Sequence, residues 1–333
     1  MKLNEIYTSG MVFPRQKPIR ICGSGKGTVR IEFAETVKVL ESETEKWCME
    51  FPPMESGGPY EMKVIFDNEV ILLNDIWVGE VYLFAGQSNI EMLLKDTNTL
   101  LSEYKSNPKL RMFCVERLNK ENYFSVNDGW VYCEKEQVGE WSALAYLAGQ
   151  KLQNEKDVAV GVIVCCQGAS VIESWLPKGK LSEIGIDIPV EEKYIDHVYP
   201  IFEEWNKDGV LYEKSLGKII PYPVSAVVWY QGESDASAAE GEIYIEELKA
   251  FIETVRKDFG DEKLPFFIVQ LADYSPRIDI GWKLVQKAQV DIQNATENTF
   301  TIVSADVCEK DDIHPPTKSI LANRIADTIL TKI

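Results

Sequence analysis

Histidine is nearly absent from this chain: two occur among 333 residues. Any chemistry that needs an imidazole base therefore has two candidates, His197 and His314. The usual zinc ligand sets are hard to assemble from so few, and no C-x-x-C pair is present, so no metal or other cofactor is expected. Apolar runs of the roughly 18 residues that a membrane-crossing helix requires are also missing. Positive charge is short: 35 Lys and Arg stand against 53 Asp and Glu, a formal net charge of -18. Such a surface repels phosphate backbones and anionic bilayers, which excludes nucleic acid and membranes as expected partners. The segment Met1-Lys2-Leu3-Asn4-Glu5-Ile6 holds no apolar core of signal-peptide length. Seven cysteines are an odd number, and Cys114, Cys165 and Cys166 lie inside apolar runs. They read as buried free thiols, and a reducing cytoplasm is the expected setting.

What is present suits a globular core: 45% hydrophobic and 11% aromatic residues. The length predicts one large domain with an appendage, or two domains. Residues 1–75 read as short strands separated by turns, for example Ile19-Arg20-Ile21-Cys22, Thr28-Val29-Arg30-Ile31-Glu32-Phe33 and Glu61-Met62-Lys63-Val64-Ile65-Phe66. This is the pattern of a small antiparallel β unit. The intervening Gly23-Ser24-Gly25-Lys26-Gly27 fits neither phosphate-loop spacing and reads as a turn. Over residues 76–333 short apolar runs (81–85, 110–115, 158–166, 226–230, 266–271, 300–305) alternate with helical stretches (143–152, 243–259, 282–293 and a last one at 319–330). Buried strands alternating with helices predict an α/β domain with a parallel sheet covered on both faces.

Ligands of such sheets bind beyond the carboxyl ends of the strands. Four polar blocks fall there: Gly86-Gln87-Ser88-Asn89, Gln167-Gly168-Ala169-Ser170, Gln231-Gly232-Glu233-Ser234-Asp235, and Asp311-Asp312-Ile313-His314-Pro315. A serine at a strand-to-helix turn is exposed at the sheet edge, with its N–H where negative charge is stabilised. Ile90 stands where the G-x-S-x-G elbow has its second glycine, so the turn is of another kind. An Asp-x-x-His turn can hold a carboxylate near the imidazole, which favours His314 over His197 as base. Spacing leaves Asp311 and Asp312 open as the orienting acid.

Together, in this order, the four blocks resemble those of the SGNH hydrolases, and more narrowly the branch of sialate O-acetylesterases and family six carbohydrate esterases (acetylxylan esterases). Met11-Val12-Phe13-Pro14-Arg15-Gln16-Lys17-Pro18-Ile19, Asp75-Ile76-Trp77-Val78-Gly79-Glu80-Val81 and Leu264-Pro265-Phe266-Phe267-Ile268-Val269-Gln270-Leu271-Ala272 are similar to further segments of that family. The resemblance implies a three-layer αβα, flavodoxin-like sheet behind a small N-terminal β domain. It implies Ser88 as nucleophile, His314 as general base and Asp311 as orienting acid. Ser88 N–H, Gly168 N–H and the Gln231 amide would form the oxyanion hole, with Gln87, Asn89 and Glu233 contacting substrate. Two departures are visible: Gln167 replaces a usual glycine, and Gln286 or Lys287 replaces a usual arginine.

The activity so implied is removal of acetyl groups from sugar hydroxyls through an acetyl-serine. Two other readings start from the residues. Glu233 and Asp235 could be the paired carboxylates of a glycoside hydrolase, against the plainer reading of loop acids bracing Gln231. Eight tryptophans and fourteen tyrosines could line a non-catalytic sugar-binding surface. A sialate site needs positive donors, and of eight arginines only Arg111, Arg117 and Arg277 are expected near strand ends. Neutral acetylated oligosaccharides are thus the rival substrate class.

Overall fold

The computed structural model describes residues 1–67, 69–118, 129–189, 192–193 and 203–333. Seven strands lead in: β1 (Lys2–Leu3), β2 (Val12–Pro14), β3 (Ile19–Ser24), β4 (Gly27–Phe33), β5 (Thr36–Ser42), β6 (Lys46–Phe51) and β7 (Gly57–Phe66). β1 and β6 flank β3, and β5 and β7 flank β4, all antiparallel. In β6 exposed and buried residues alternate strictly, as a strand with one face on the core must. Cys22 and Cys48 stand opposite each other across β3 and β6 and form a disulfide. The free-thiol expectation therefore holds for Cys114, Cys165 and Cys166, as well as Cys133 and Cys308, but not for this cross-strand pair.

The next strand, β8 (Glu69–Gly86), is 18 residues long. Its first part pairs antiparallel with β7, and its last seven residues run parallel between β11 (Val160–Cys166) and β12 (Ala226–Tyr230). The domain boundary expected after residue 75 thus lies inside one continuous strand. With β9 (Asn107–Cys114), β10 (Val131–Cys133), β13 (Phe266–Val269) and β14 (Thr299–Ile302), the main path is β10-β9-β11-β8-β12-β13-β14. All its neighbours are parallel except β10 on β9. Setting the β9–β10 edge aside, the five strands from β8 onward take the order 2-1-3-4-5, the flavodoxin-like order expected.

β11, β12 and β13 contain no exposed residue, so both faces of the sheet are covered. The main helices are α1 (Ser88–Glu91), α2 (Ala143–Lys156), α3 (Ala238–Phe259), α4 (Ile280–Ala295) and α5 (Lys318–Lys332). α2 packs against α5, and α3 against α4. α3 extends beyond the predicted 243–259 because Ser237 and Glu240 close a capping box at its start, while Gly260 ends it in the left-handed conformation.

The connections leave β8 toward β11 on one side and return to β12 on the other. The carboxyl ends of β8 and β12 therefore flank the point where strand order reverses, the usual ligand crevice of such sheets. There the two backbones nearly touch. Gly86 has φ +140°, and a Cβ on it would lie 2.1 Å from the Tyr230 carbonyl oxygen. Gly86→Ala should cost about 2 kcal/mol or more, lowering the thermal midpoint by roughly 4 °C. A variant that melts with the wild type would contradict this close approach.

Candidate active site

Ser88 is the first residue of α1, directly beyond the β8 end, and is half-buried. Its Oγ lies 2.7 Å from His314 Nε2, so residues 226 positions apart form a hydrogen-bonded pair. His197 lies outside the described residues. The Ser88 and Asn89 N–H groups have no partner among the described residues, because α1 starts there and its first bonds come from Ile90 and Glu91 to Gln87. A developing oxyanion at Ser88 thus meets at least one unspent donor.

His314 sits in a turn that is not organised as expected. Asp312 Oδ1 accepts the His314 backbone N–H at 2.8 Å, an Asx-turn. Asp311 is exposed, and among the described residues its carboxylate does not bond the imidazole. The acid three residues before the histidine is left outside because the one two before it closes the turn. Burial, and then the charge of Lys318, push the imidazole below the ordinary histidine value, while Asp312 opposes them.

The two other donors expected at the oxyanion are already engaged in this structure. Gln231 is wholly buried, and its Nε2 donates to the Ser170 carbonyl at 2.7 Å and to Asp235. Its Oε1 accepts from Tyr244 Oη at 2.9 Å. Both amide protons are spent on the scaffold, so Gln231 braces the loop instead of facing an oxyanion. The Gly168 N–H donates to Glu91 Oε2 at 2.8 Å, and Glu91 is in turn paired with Arg117. That donor is occupied until the Glu91 carboxylate gives way.

Gln167 is also wholly buried, with Oε1 accepting from Leu118 N–H at 2.9 Å, so it ties two loops and does not line an open pocket. Gln87 is buried and accepts the Gly232 N–H at 3.3 Å, which makes it a buttress too. Gln286 donates to Leu271 O at 2.9 Å and Asp273 Oδ1 at 3.1 Å, holding α4 to the segment after β13.

Asn89 and Glu233 come together in a buried cluster. Asn89 Nδ2 donates to Glu233 Oε1 at 2.6 Å and to Ile313 O at 3.0 Å, and its Oδ1 accepts from Lys318 Nζ at 2.6 Å. Glu233 Oε2 is buried with no partner among the described residues. Burial raises the Glu233 carboxyl above its ordinary value, against the Asn89 hydrogen bond and the charges of Lys318 and Arg277. Burial lowers Lys318 to about 8. Asp235 instead faces Gln231 and the Ile172 N–H at 3.1 Å. Glu233 and Asp235 are only 4% and 3% exposed and serve different partners, which is the bracing arrangement and not a pair flanking a glycosidic bond.

Sequence reasoning missed Lys318 and Glu91. Lys318 had a signal: it occupies the apolar stripe of the last helix, with Leu321, Ala322, Ile325, Ala326 and Ile329. Of the expected arginines, Arg111 is a scaffold residue, donating to the Gly10 and Asp75 carbonyls at 2.9 and 2.7 Å. Arg277 donates to the Glu233 carbonyl at 3.1 Å and so borders the site. Among the described residues no group of three or more His, Cys, Asp or Glu could hold a metal ion.

The family model for "Carbohydrate esterase, sialic acid-specific acetylesterase" matches residues 78–331. The sialate O-acetylesterase of Homo sapiens is 26% identical over 323 residues, covering 87% of this chain and 61% of that protein. The Mus musculus enzyme is 24% identical over 344 residues, covering 87% and 63%. The chain thus spans about three fifths of the length of the curated relatives it matches. A carbohydrate acetylesterase of Xanthomonas citri, solved by crystallography, matches with a TM-score of 0.83 at 25% identity, covering 98% of this chain and 73% of that one.

If His314 takes the Ser88 proton, it must be neutral. Its lowered pKa then places the acid limb of kcat/KM below about pH 6.5, the ordinary histidine value, with activity lost as pH falls through the limb. A pH–rate profile with its acid midpoint well above that value would contradict the assignment.

Proposed function

This chain belongs to the carbohydrate esterase family of sialic acid-specific acetylesterases, and on that premise we propose that it removes O-acetyl groups from sugars through Ser88 and His314. The observation that carries the reading is the 2.7 Å approach of Ser88 Oγ, just past the end of β8, to His314 Nε2, in the connection between β14 and α5. In the proposed mechanism Ser88 Oγ attacks the acetyl carbon while His314 Nε2 takes its proton. The carbonyl oxygen becomes an oxyanion against the Ser88 N–H. Gly168 N–H is the second donor, once the incoming oxygen displaces the Glu91 carboxylate. His314 returns the proton to the departing sugar oxygen, and water then cleaves the acetyl-serine by the same route.

Asp311 is the orienting acid in this proposal and must swing inward to reach Nδ1; Asp312 is the alternative. In matched assays Asp311→Asn should lower kcat by at least roughly 100-fold, and Asp312→Asn by clearly less. The reverse ranking assigns the role to Asp312.

The substrate proposed is O-acetylated sialic acid, the sugar named in the family and in both mammalian relatives. Acetylated xylo-oligosaccharides are the neutral comparison. A chain of charge -18 repels an anionic sugar, so kcat/KM on the sialate should rise with added salt and stay level on the neutral substrate. As to location, the five free cysteines accord with a cytoplasm, whereas the Cys22–Cys48 disulfide accords with an oxidising compartment.

The central test is acetate release from 9-O-acetyl sialic acid by Ser88→Ala, expected to fall by about 1,000-fold or more. Near wild-type turnover would overturn the proposal.

A further inference from the structure

Lys318 is wholly buried in the first turn of α5, where a charge is costly unless it is compensated. Its Nζ donates to Asn89 Oδ1 at 2.6 Å. A lysine ammonium can only donate, so this contact decides which way the Asn89 amide points. With Oδ1 held by Lys318, Nδ2 must face Glu233 and the Ile313 carbonyl, and it bonds both. Asn89 directly follows Ser88, and Ile313 directly precedes His314. The amide therefore forms a strap beside the Ser88–His314 contact, anchored from behind by Lys318.

We propose that Lys318 is a positioning residue: through Asn89 it locks the histidine loop onto the nucleophile turn, and it sets a positive charge one side-chain amide away from that loop. This rests on reading Ser88 and His314 as nucleophile and base. Among the described residues, charged and titratable groups reach the pair from several elements. His314 faces Lys318 from α5 and Asp312 from its own loop. Lys318 faces Glu233 from the loop after β12, Cys308 and Glu309 from the segment after β14, and Asp312. Arg277 adds positive charge beside Glu233. Burial is the main cause of the imidazole's downward shift; among the charged described residues, Lys318 adds to it and Asp312 opposes it. Removing the positive charge should therefore make His314 easier to protonate.

The experiment compares pH profiles of acetate release for wild type, Lys318→Gln and Lys318→Arg, with Ser88→Ala in parallel. Gln keeps a donor for Asn89 but loses the charge, so the acid limb of kcat/KM should move up by about half a pH unit or more. Arg keeps the charge in a bulkier, forked head, so the limb should stay while kcat falls roughly 10- to 100-fold from mispositioning, with KM within about threefold. An unmoved limb in Lys318→Gln overturns the electrostatic role, whatever happens to its kcat. Wild-type kcat in Lys318→Arg overturns the positioning role, and that variant carries the test alone should Lys318→Gln not fold. An active Ser88→Ala overturns the reading of the site itself, whereas an inactive one with an unmoved Lys318→Gln limb overturns only the role of Lys318.

Discussion

One side-chain amide, that of Asn89, ties the serine turn to the two loops and the helix start on which the site depends. It bonds Glu233 from the loop after β12, Ile313 from the histidine loop and Lys318 from α5. Each partner would be a liability without it. Glu233 and Lys318 are both buried, and a buried charge with its hydrogen bonds unmade costs several kcal/mol. The bridging amide lets an acid and a base compensate each other across a polar linker, with the serine and the histidine on either side of it. The network is therefore as much a fold determinant as a support for the serine–histidine contact. A neighbouring network works by the same logic, where Gln231 holds the Ser170 carbonyl, Asp235 and Tyr244 in a fully buried knot.

The sheet explains why these loops meet. β8 lies where strand order reverses, so the segments beyond β8 and β12 enter the same crevice, and the backbone at Gly86 and Tyr230 is close enough to exclude a side chain. Gly232 answers on the other side with φ +139°. Burial of β11, β12 and β13 on both faces keeps the strand ends from shifting. The serine side of the contact thus rests on a regular strand end, while His314 comes from the long connection between β14 and α5 and is held there by the Asn89 network.

Much of this was legible in the sequence, and for identifiable reasons. The run at 226–230 is β12 residue for residue, because a fully buried strand shows as an uninterrupted apolar run. Helices were readable in position but short at their ends, since α3 begins at a cap and not at its first apolar residue. His314 could be singled out because the chain has so few histidines to choose from. Hydrogen-bond allocation was not legible. Gln231 can serve an oxyanion or a scaffold equally well by composition, and only the distances to Ser170, Asp235 and Tyr244 decide. Asp311 and Asp312 differ by one position in a turn, and which of them closes it depends on local dihedrals. Cys22 and Cys48, 26 residues apart, became a pair only once the register of β3 and β6 was known.

β8 has a further implication for how this architecture can vary. The same backbone that ends at Gly86 is, some ten residues earlier, an inner member of the N-terminal β unit, paired with β7 and β2. The unit is therefore a splint grafted onto the strand that leads into Ser88, not a module hung from a linker. Cutting it away would leave the upstream half of β8 as a bare edge, open to fraying and to pairing with other chains. An exchangeable cassette would have to be joined elsewhere; here recombination at the obvious junction would sever the one strand that sets the height of Ser88.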